Sequence, residues 1–267
     1  MPRSRQDGTR PPRRSIRMSS GLTAEIIEDP LQPEGRVLLL GGAEQSHVYP
    51  GQPERIFYEY LQRAAHVVDA VFPGSAPVRA LHLGAGALTL PRYLEARRPG
   101  SRQTVVEIER ELVDFVLTSL PLPAEADIEC VTADARDFVE GLPAGSAFDV
   151  VFLDIFTGPD SPAHLADPAF YSLLAGRCAP GGTVVVNLGD DAGMAFARRQ
   201  VRSLQSVFAD VLVTAEARLF SGRYSGNVIA AGSHTPFDAS TASAVDAAGP
   251  HPATTLCGSD ADAFGEP

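Results

Sequence analysis

Hydrophobic positions along the chain alternate between two patterns. Between residues 78 and 231, short all-apolar runs are separated by stretches whose apolar residues recur every three to four positions. The runs predict strands over 78–83, 104–108, 128–132, 148–154, 183–188, 211–217 and 227–231, and the periodic stretches predict helices over 88–97, 110–120, 135–142, 169–178 and 193–208. Runs such as VVFLD and TVVVNL leave no polar face. Strands of that kind are buried on both sides, so the expected fold is α/β: a doubly wound, mostly parallel, seven-stranded sheet. No helix separates the last two strands, which are therefore expected to pair as an antiparallel hairpin at one edge. Upstream, apolar residues of helical period over 54–72 predict a helix entered at Pro53, and shorter runs at 22–28, 36–40 and 45–49 predict a small β-hairpin unit. The expected organisation is a disordered basic leader (1–20), the hairpin unit (21–52), a Rossmann-like domain (53–232) and a disordered acidic tail (233–267), both ends reading as small, polar or Pro-punctuated sequence.

Ligands of such sheets bind beyond the carboxyl ends of the strands, so those ends carry the candidate chemistry. The first strand runs into Leu83-Gly84-Ala85-Gly86-Ala87-Leu88-Thr89. Gly84 and Gly86 permit a tight turn that brings backbone N–H groups to a ligand at a helix start. The third glycine of a dinucleotide fingerprint is absent. The second strand ends at Glu107, about 20 residues further on, where a carboxylate accepts both hydroxyls of a ribose. The other reading is an acid at a helix N-terminus, which suits Glu109 and Glu111 better. Ala133-Asp134-Ala135, after the third strand, sets a small residue and an acid where an adenine amino group is read, and Asp134 is equally an N-cap. Asp154 ends the fourth strand. An ionised carboxylate there is costly without work or partners, so it is expected to be a general base or a cation-binding group. Of the histidines, His47 is expected on a hairpin surface, His82 in the core with a hydrogen bond, and His164 in a solvated loop.

With these residues in order, the chain resembles the spermidine synthase family of aminopropyltransferases over roughly residues 36–231. The resemblance rests on Gly84–Gly86, Glu107-Ile108-Glu109, Ala133-Asp134, Asp154-Ile155-Phe156-Thr157 and Phe170-Tyr171-Ser172-Leu173-Leu174. The Leu38-to-Gln45 hairpin, Tyr58 and Tyr224-Ser225-Gly226 add to it. It implies a class I methyltransferase-like Rossmann fold and transfer of an aminopropyl group from decarboxylated S-adenosylmethionine to a putrescine-type amine. It implies Asp154 as base with Tyr58 beside it. Glu107 and Asp134, with Gly84, Gly86 and Ala135, would hold the nucleoside. Gln45 would line the aminopropyl pocket, and Thr157 and Tyr224 the amine side. It also implies a possible homodimer. The sequence departs from the family at Thr157, which replaces the second loop aspartate, and at Gly158, which replaces its proline. Gly41 stands for the hairpin aspartate, and Ala87, Leu88 and Thr89 for an acid and later glycines. Two other readings stand beside this one: methyl transfer from intact S-adenosylmethionine to another acceptor, and a nucleoside-binding homologue without catalysis.

Composition narrows the partners. Hydrophobic residues make up 44% of the 267, enough for a sizeable core, and the net charge is −11. All 22 basic residues are arginines, six of them in residues 1–20. An acidic body disfavours nucleic acid and favours small cationic or neutral ligands. No apolar run approaches the roughly 20 residues needed to cross a bilayer, so no membrane partner is expected. The leader also lacks the apolar stretch of a signal peptide, so a cytoplasmic location is expected. The cysteines, Cys130, Cys178 and Cys257, are scattered, which offers no disulfide framework and no zinc site. Metal-ligand spacing is absent, and no metal is expected.

Overall fold

A computed structural model describes residues 14–155 and 161–266. Four strands open the chain as an antiparallel sheet in the order β1-β2-β3-β4: β1 (Arg14–Arg17), β2 (Thr23–Glu28), β3 (Arg36–Leu40) and β4 (Ala43–Val48). The β3–β4 hairpin turns on Gly41 and Gly42, both at positive φ (+58° and +89°). A turn of that kind favours glycine. Helix α1 (Glu59–Val71) follows.

Next comes the alternating unit: β5 (Arg79–Leu83), α2 (Thr89–Arg97), β6 (Arg102–Glu107), α3 (Arg110–Ser119), β7 (Ile128–Thr132), α4 (Ala135–Gly141), β8 (Phe148–Leu153), α5 (Pro168–Ala175), β9 (Cys178–Asp190), α6 (Ala195–Gln205), β10 (Asp210–Glu216) and β11 (Gly226–Ser233). After it lie α7 (Ala239–Ala248), β12 (Ala253–Leu256) and α8 (Ser259–Gly265). The large sheet runs β12-β10-β11-β9-β8-β5-β6-β7. Strands β5 to β9 are mutually parallel, while β11 pairs antiparallel with both β9 and β10.

The all-apolar runs behave as their pattern requires. In β8, Val151 and Leu153 face one core with α5 and α6, and Val150 and Phe152 face the other with α1. Each such buried side chain contributes about 1.5–3 kcal/mol of transfer free energy. His82 is the core histidine expected: it stacks on Phe152 and hydrogen-bonds Gln103 at 3.0 Å. Burial pulls its pKa down to about 4 against the raising effect of that bond, so it is neutral at pH 7.

Three expectations are corrected. The sheet has eight strands, not seven, because β12 pairs with β10 from Val213↔Leu256 to Glu216↔Ala253. The tail expected to be disordered is folded through residue 266. Its alanines and serines read as low complexity, yet small side chains let α7 and α8 pack closely, burying Ala242, Val245, Ala261 and Phe264. Arginines of α6 and α1 bind its backbone: Arg198 reaches the Phe264 carbonyl at 2.7 Å, and buried Arg63 the Pro250 carbonyl at 2.7 Å. The leader is folded from Arg14 onward: β1 pairs with β2, Met18 is buried, and Ser19 donates its N–H to Glu111 at 2.7 Å.

The N-terminal sheet is seated on the domain rather than standing apart from it. Ala24, Ile26, Leu38 and Val48 share one cluster with Ala85, Ala87 and Leu88 of the first glycine turn and with Leu112 and Val116 of α3. His47 is correspondingly not on a surface: it is 1% exposed, hydrogen-bonded to Asp29 at 3.0 Å and stacked on Phe57. Gly35 makes room for it, since a Cβ there would lie 2.5 Å from the ring. Among the described residues no helix is long and apolar enough to cross a membrane.

Candidate active site

The carboxyl ends of β5, β6 and β8 and the hairpin β3–β4 surround one cleft of about 630 Å³, a volume suited to a nucleoside-sized ligand. Gly84, Gly86, Glu107, Asp134, Ala135, Asp154, Gln45 and Tyr58 all line it. The structure thus brings together eight of the ten residues singled out from the sequence.

The glycine turn is fixed from two sides. Gly84 (φ +100°) donates to the Val106 carbonyl at 2.9 Å, and a Cβ on it would lie 2.5 Å from the Asp154 carbonyl oxygen. Gly86 (φ +48°) packs against Ser46 of β4, whose hydroxyl accepts the Ala87 N–H at 3.0 Å. Leu88 itself takes a left-handed conformation (φ 61°) as it enters α2. Glycine would do this without strain, and here a fully buried side chain offsets the cost.

Glu107 ends β6 with one oxygen accepting the Ala85 N–H and the other the Glu109 N–H, each at 3.1 Å. Those bonds hold the carboxylate flat against the turn and leave lone pairs on both oxygens for a vicinal diol. Asp134 caps α4, one oxygen accepting from Arg136 (2.8 Å) and Asp137 (3.2 Å), while the other meets His164 at 2.9 Å. Burial pushes its pKa up, but the His164 bond and the two backbone N–H groups outweigh that and hold it below the usual carboxylate range. His164 was expected in solvent; it is half-exposed yet tied to Asp134 across the cleft lip.

The β8 end differs. Asp154 accepts one side-chain bond, from Asn187 Nδ2 of β9 at 2.8 Å, and burial raises its pKa against that single stabilising partner. Tyr60 lies close enough that the charge of Asp154 adds to burial in raising the phenol's pKa. Tyr58 stacks on Tyr60 with ring centroids 6.0 Å apart and donates its hydroxyl to Glu44 at 3.0 Å. Burial first, and Glu44 second, keep that phenol protonated well above its usual range.

One expected residue falls elsewhere. Tyr224 does not line the cleft. It is 47% exposed beside Asp191 and Arg223, with the Arg218 guanidinium 5.2 Å from its ring. The short 3₁₀ turn Ala217–Ser221, ended by Gly222 at φ +69°, directs the following residues outward before β11 begins. Asn227 of β11 reaches the cleft instead. Thr157 lies outside the described residues. Sequence reasoning passed over Glu44, Tyr60, Asn187 and Ile108. Ile108 gave a signal, a large apolar residue directly after the strand-end acid; in the structure it is 65% exposed and lines the cleft with Glu107. Among the described residues no group of three or more His, Cys, Asp or Glu is placed to hold a metal ion.

A strand order that reverses beside β5, with an acid at each neighbouring strand end, is that of a class I methyltransferase-like Rossmann fold. No family model matches the chain. A curated polyamine aminopropyltransferase of Mycobacterium tuberculosis is 34% identical over 142 residues, 49% of this chain and 26% of that protein. The chain therefore matches about a quarter of the length of its curated relatives. The crystal structure of a probable spermidine synthase from Corynebacterium glutamicum superposes with a TM-score of 0.87 at 29% identity, covering 95% of this chain and 93% of that one. A spermidine synthase in complex with the transition-state analogue AdoDATO shares the fold, with a TM-score of 0.62 at 20% identity over 83% and 73% of the two chains. Within that fold, the chain is similar to polyamine aminopropyltransferases and to a probable spermidine synthase.

Proposed function

We propose that the protein transfers an aminopropyl group from decarboxylated S-adenosylmethionine to a small amine of the putrescine type. The observation that carries this reading is the charge of the cleft. Five carboxylates line it (Glu44, Glu107, Glu109, Asp134 and Asp154), and no arginine does among its described residues; the chain has no lysine. Intact S-adenosylmethionine brings a carboxylate into that field, whereas the decarboxylated form brings only positive charge. The names of the relatives, polyamine aminopropyltransferase and spermidine synthase, support the same reading.

In this reading Glu107 accepts the ribose hydroxyls, Asp134 the adenine amino group, and Ile108 packs on the base. The sulfonium carbon is already electrophilic, so the protein's task is alignment and proton removal. The amine nitrogen attacks the aminopropyl carbon, the C–S bond breaks toward sulfur to leave a neutral thioether, and the proton of the new secondary ammonium passes to Asp154. A base whose pKa is raised by burial is better matched to an ammonium than an ordinary carboxylate is. Tyr58 and Tyr60 wall the path of the amine.

The test is turnover: decarboxylated S-adenosylmethionine and putrescine are incubated with the protein, and the thioether nucleoside and the new polyamine are measured by mass spectrometry. Calorimetry compares the two sulfonium nucleosides. Binding of the intact form tenfold tighter than the decarboxylated form overturns the assignment.

A further inference from the structure

Glu44 lies at the rim of the cleft on β4, in a hairpin whose Leu38 and Val48 pack against Ala85, Ala87 and Leu88 of the glycine turn. Its position is specified: Oε2 accepts the Tyr58 hydroxyl at 3.0 Å. Behind Tyr58 stands Tyr60, and behind Tyr60 the charge of Asp154. The cleft wall therefore reads, in order, carboxylate, two phenol rings, carboxylate. At the Asp154 end, Asn187 is 9% exposed, donates its Nδ2 to Asp154, and keeps a buried Oδ1 with no partner. A buried acceptor left open is destabilising unless a donor arrives. Asn187 lines the cleft, so a ligand N–H entering there can supply that donor.

A wall of this kind matches a flexible chain with a cation at each end. Hydrocarbon lies along the phenol faces, one amine meets Asp154 and the open Asn187 oxygen, and the other remains charged. Two carboxylates are needed because a dication leaves water only when both charges find partners. The geometry points to Glu44 as the specificity-determining residue that binds the non-reacting ammonium of the acceptor, with Tyr58 fixing the orientation of its carboxylate. Nothing in the hairpin's fold requires an acid here: the side chain is exposed, and its hydrogen bond is to Tyr58, which also lines the cleft. This inference rests on the proposed reaction class.

The experiment compares wild type, Glu44→Gln and Glu129→Gln, the last removing the same charge from an exposed site on β7 away from the cleft. Initial rates are measured with putrescine and with n-butylamine, and calorimetry measures the affinity for decarboxylated S-adenosylmethionine. In Glu44→Gln the KM for putrescine is expected to rise about tenfold, the preference for putrescine over n-butylamine to fall by the same factor, and the nucleoside affinity to stay within twofold. Glu129→Gln is expected to match wild type. An unchanged putrescine KM in Glu44→Gln, or a loss confined to nucleoside affinity, overturns the role of Glu44 while leaving the reaction class standing. A wild-type protein that binds the nucleoside yet turns over neither amine overturns both.

Discussion

Replacing Gly84 with alanine tests whether the nucleoside turn and the β8 end are one mechanical unit. Gly84 sits at φ +100°, and an added Cβ would lie 2.5 Å from the Asp154 carbonyl oxygen and 3.3 Å from Ile155 Cγ1. A left-handed L-residue costs about 1–2 kcal/mol. The clash must open by nearly 1 Å to reach the ordinary 3.4 Å separation, and the Asp154 carbonyl oxygen is backbone that cannot rotate aside. Asp154 is itself pinned, donating its N–H to the Leu83 carbonyl at 3.0 Å, so moving it sacrifices that bond at about 1 kcal/mol. The sum is roughly 2–4 kcal/mol, which for a chain of this length lowers Tm by about 5–15 °C. Scanning calorimetry reads the Tm, and turnover at a temperature where both proteins are folded reads the displaced carboxylate. Gly51→Ala, at a glycine with no positive φ and nothing within 4 Å of the new methyl, serves as the neutral comparison. A Gly84→Ala protein within 2 °C of wild type and with unchanged turnover refutes the reasoning.

Other outcomes follow from the same structure. Asp154→Asn is expected to lower kcat about 10²–10⁴-fold, since it removes the proposed base, while keeping an acceptor for Asn187; undiminished turnover contradicts the assignment. The raised pKa of Asp154 also fixes the sign of a stability effect. Its ionised form is disfavoured in the folded state, so the penalty is absent below the ordinary carboxylate pKa and complete above the folded one. Thermal melts should therefore show Asp154→Asn more stable than wild type at neutral pH, the gain vanishing in acid. Glu107→Gln turns one of two acceptor oxygens into a donor facing a backbone N–H, and a fall of about tenfold or more in nucleoside affinity is expected by calorimetry; an equal affinity argues against the ribose role. Phe264→Ala opens a void beneath α8 and is expected to cost about 3–5 kcal/mol in urea denaturation, with turnover per folded molecule unchanged.

The sheet and most of the cleft were legible because both depend on local pattern. Val150 to Leu153 announce a strand buried on two faces, and Glu107, Asp134 and Asp154 announce themselves as acids at strand ends. Glu44 and Asn187 did not, because nothing adjacent in sequence indicates that β4 folds over the glycine turn or that β9 lies beside β8. The tail was misread for a related reason: Ala242, Val245 and Ala261 become core only through distant α1 and α6, whose arginines satisfy the tail's carbonyls. Tyr224 depended on a 3₁₀ turn that moves it away from the cleft, and composition carries no trace of that turn.

Strand β12 has a consequence for handling the protein. It contributes nothing to the cleft, yet it covers the outer rim of β10, whose Val213 to Glu216 would otherwise present unpaired backbone groups. A version trimmed after Ser233 would retain every residue that lines the site and still offer neighbouring molecules a bare ribbon to zip onto. Its losses would grow with concentration and standing time, and they would be mistaken for weak catalysis unless the soluble fraction were assayed alone.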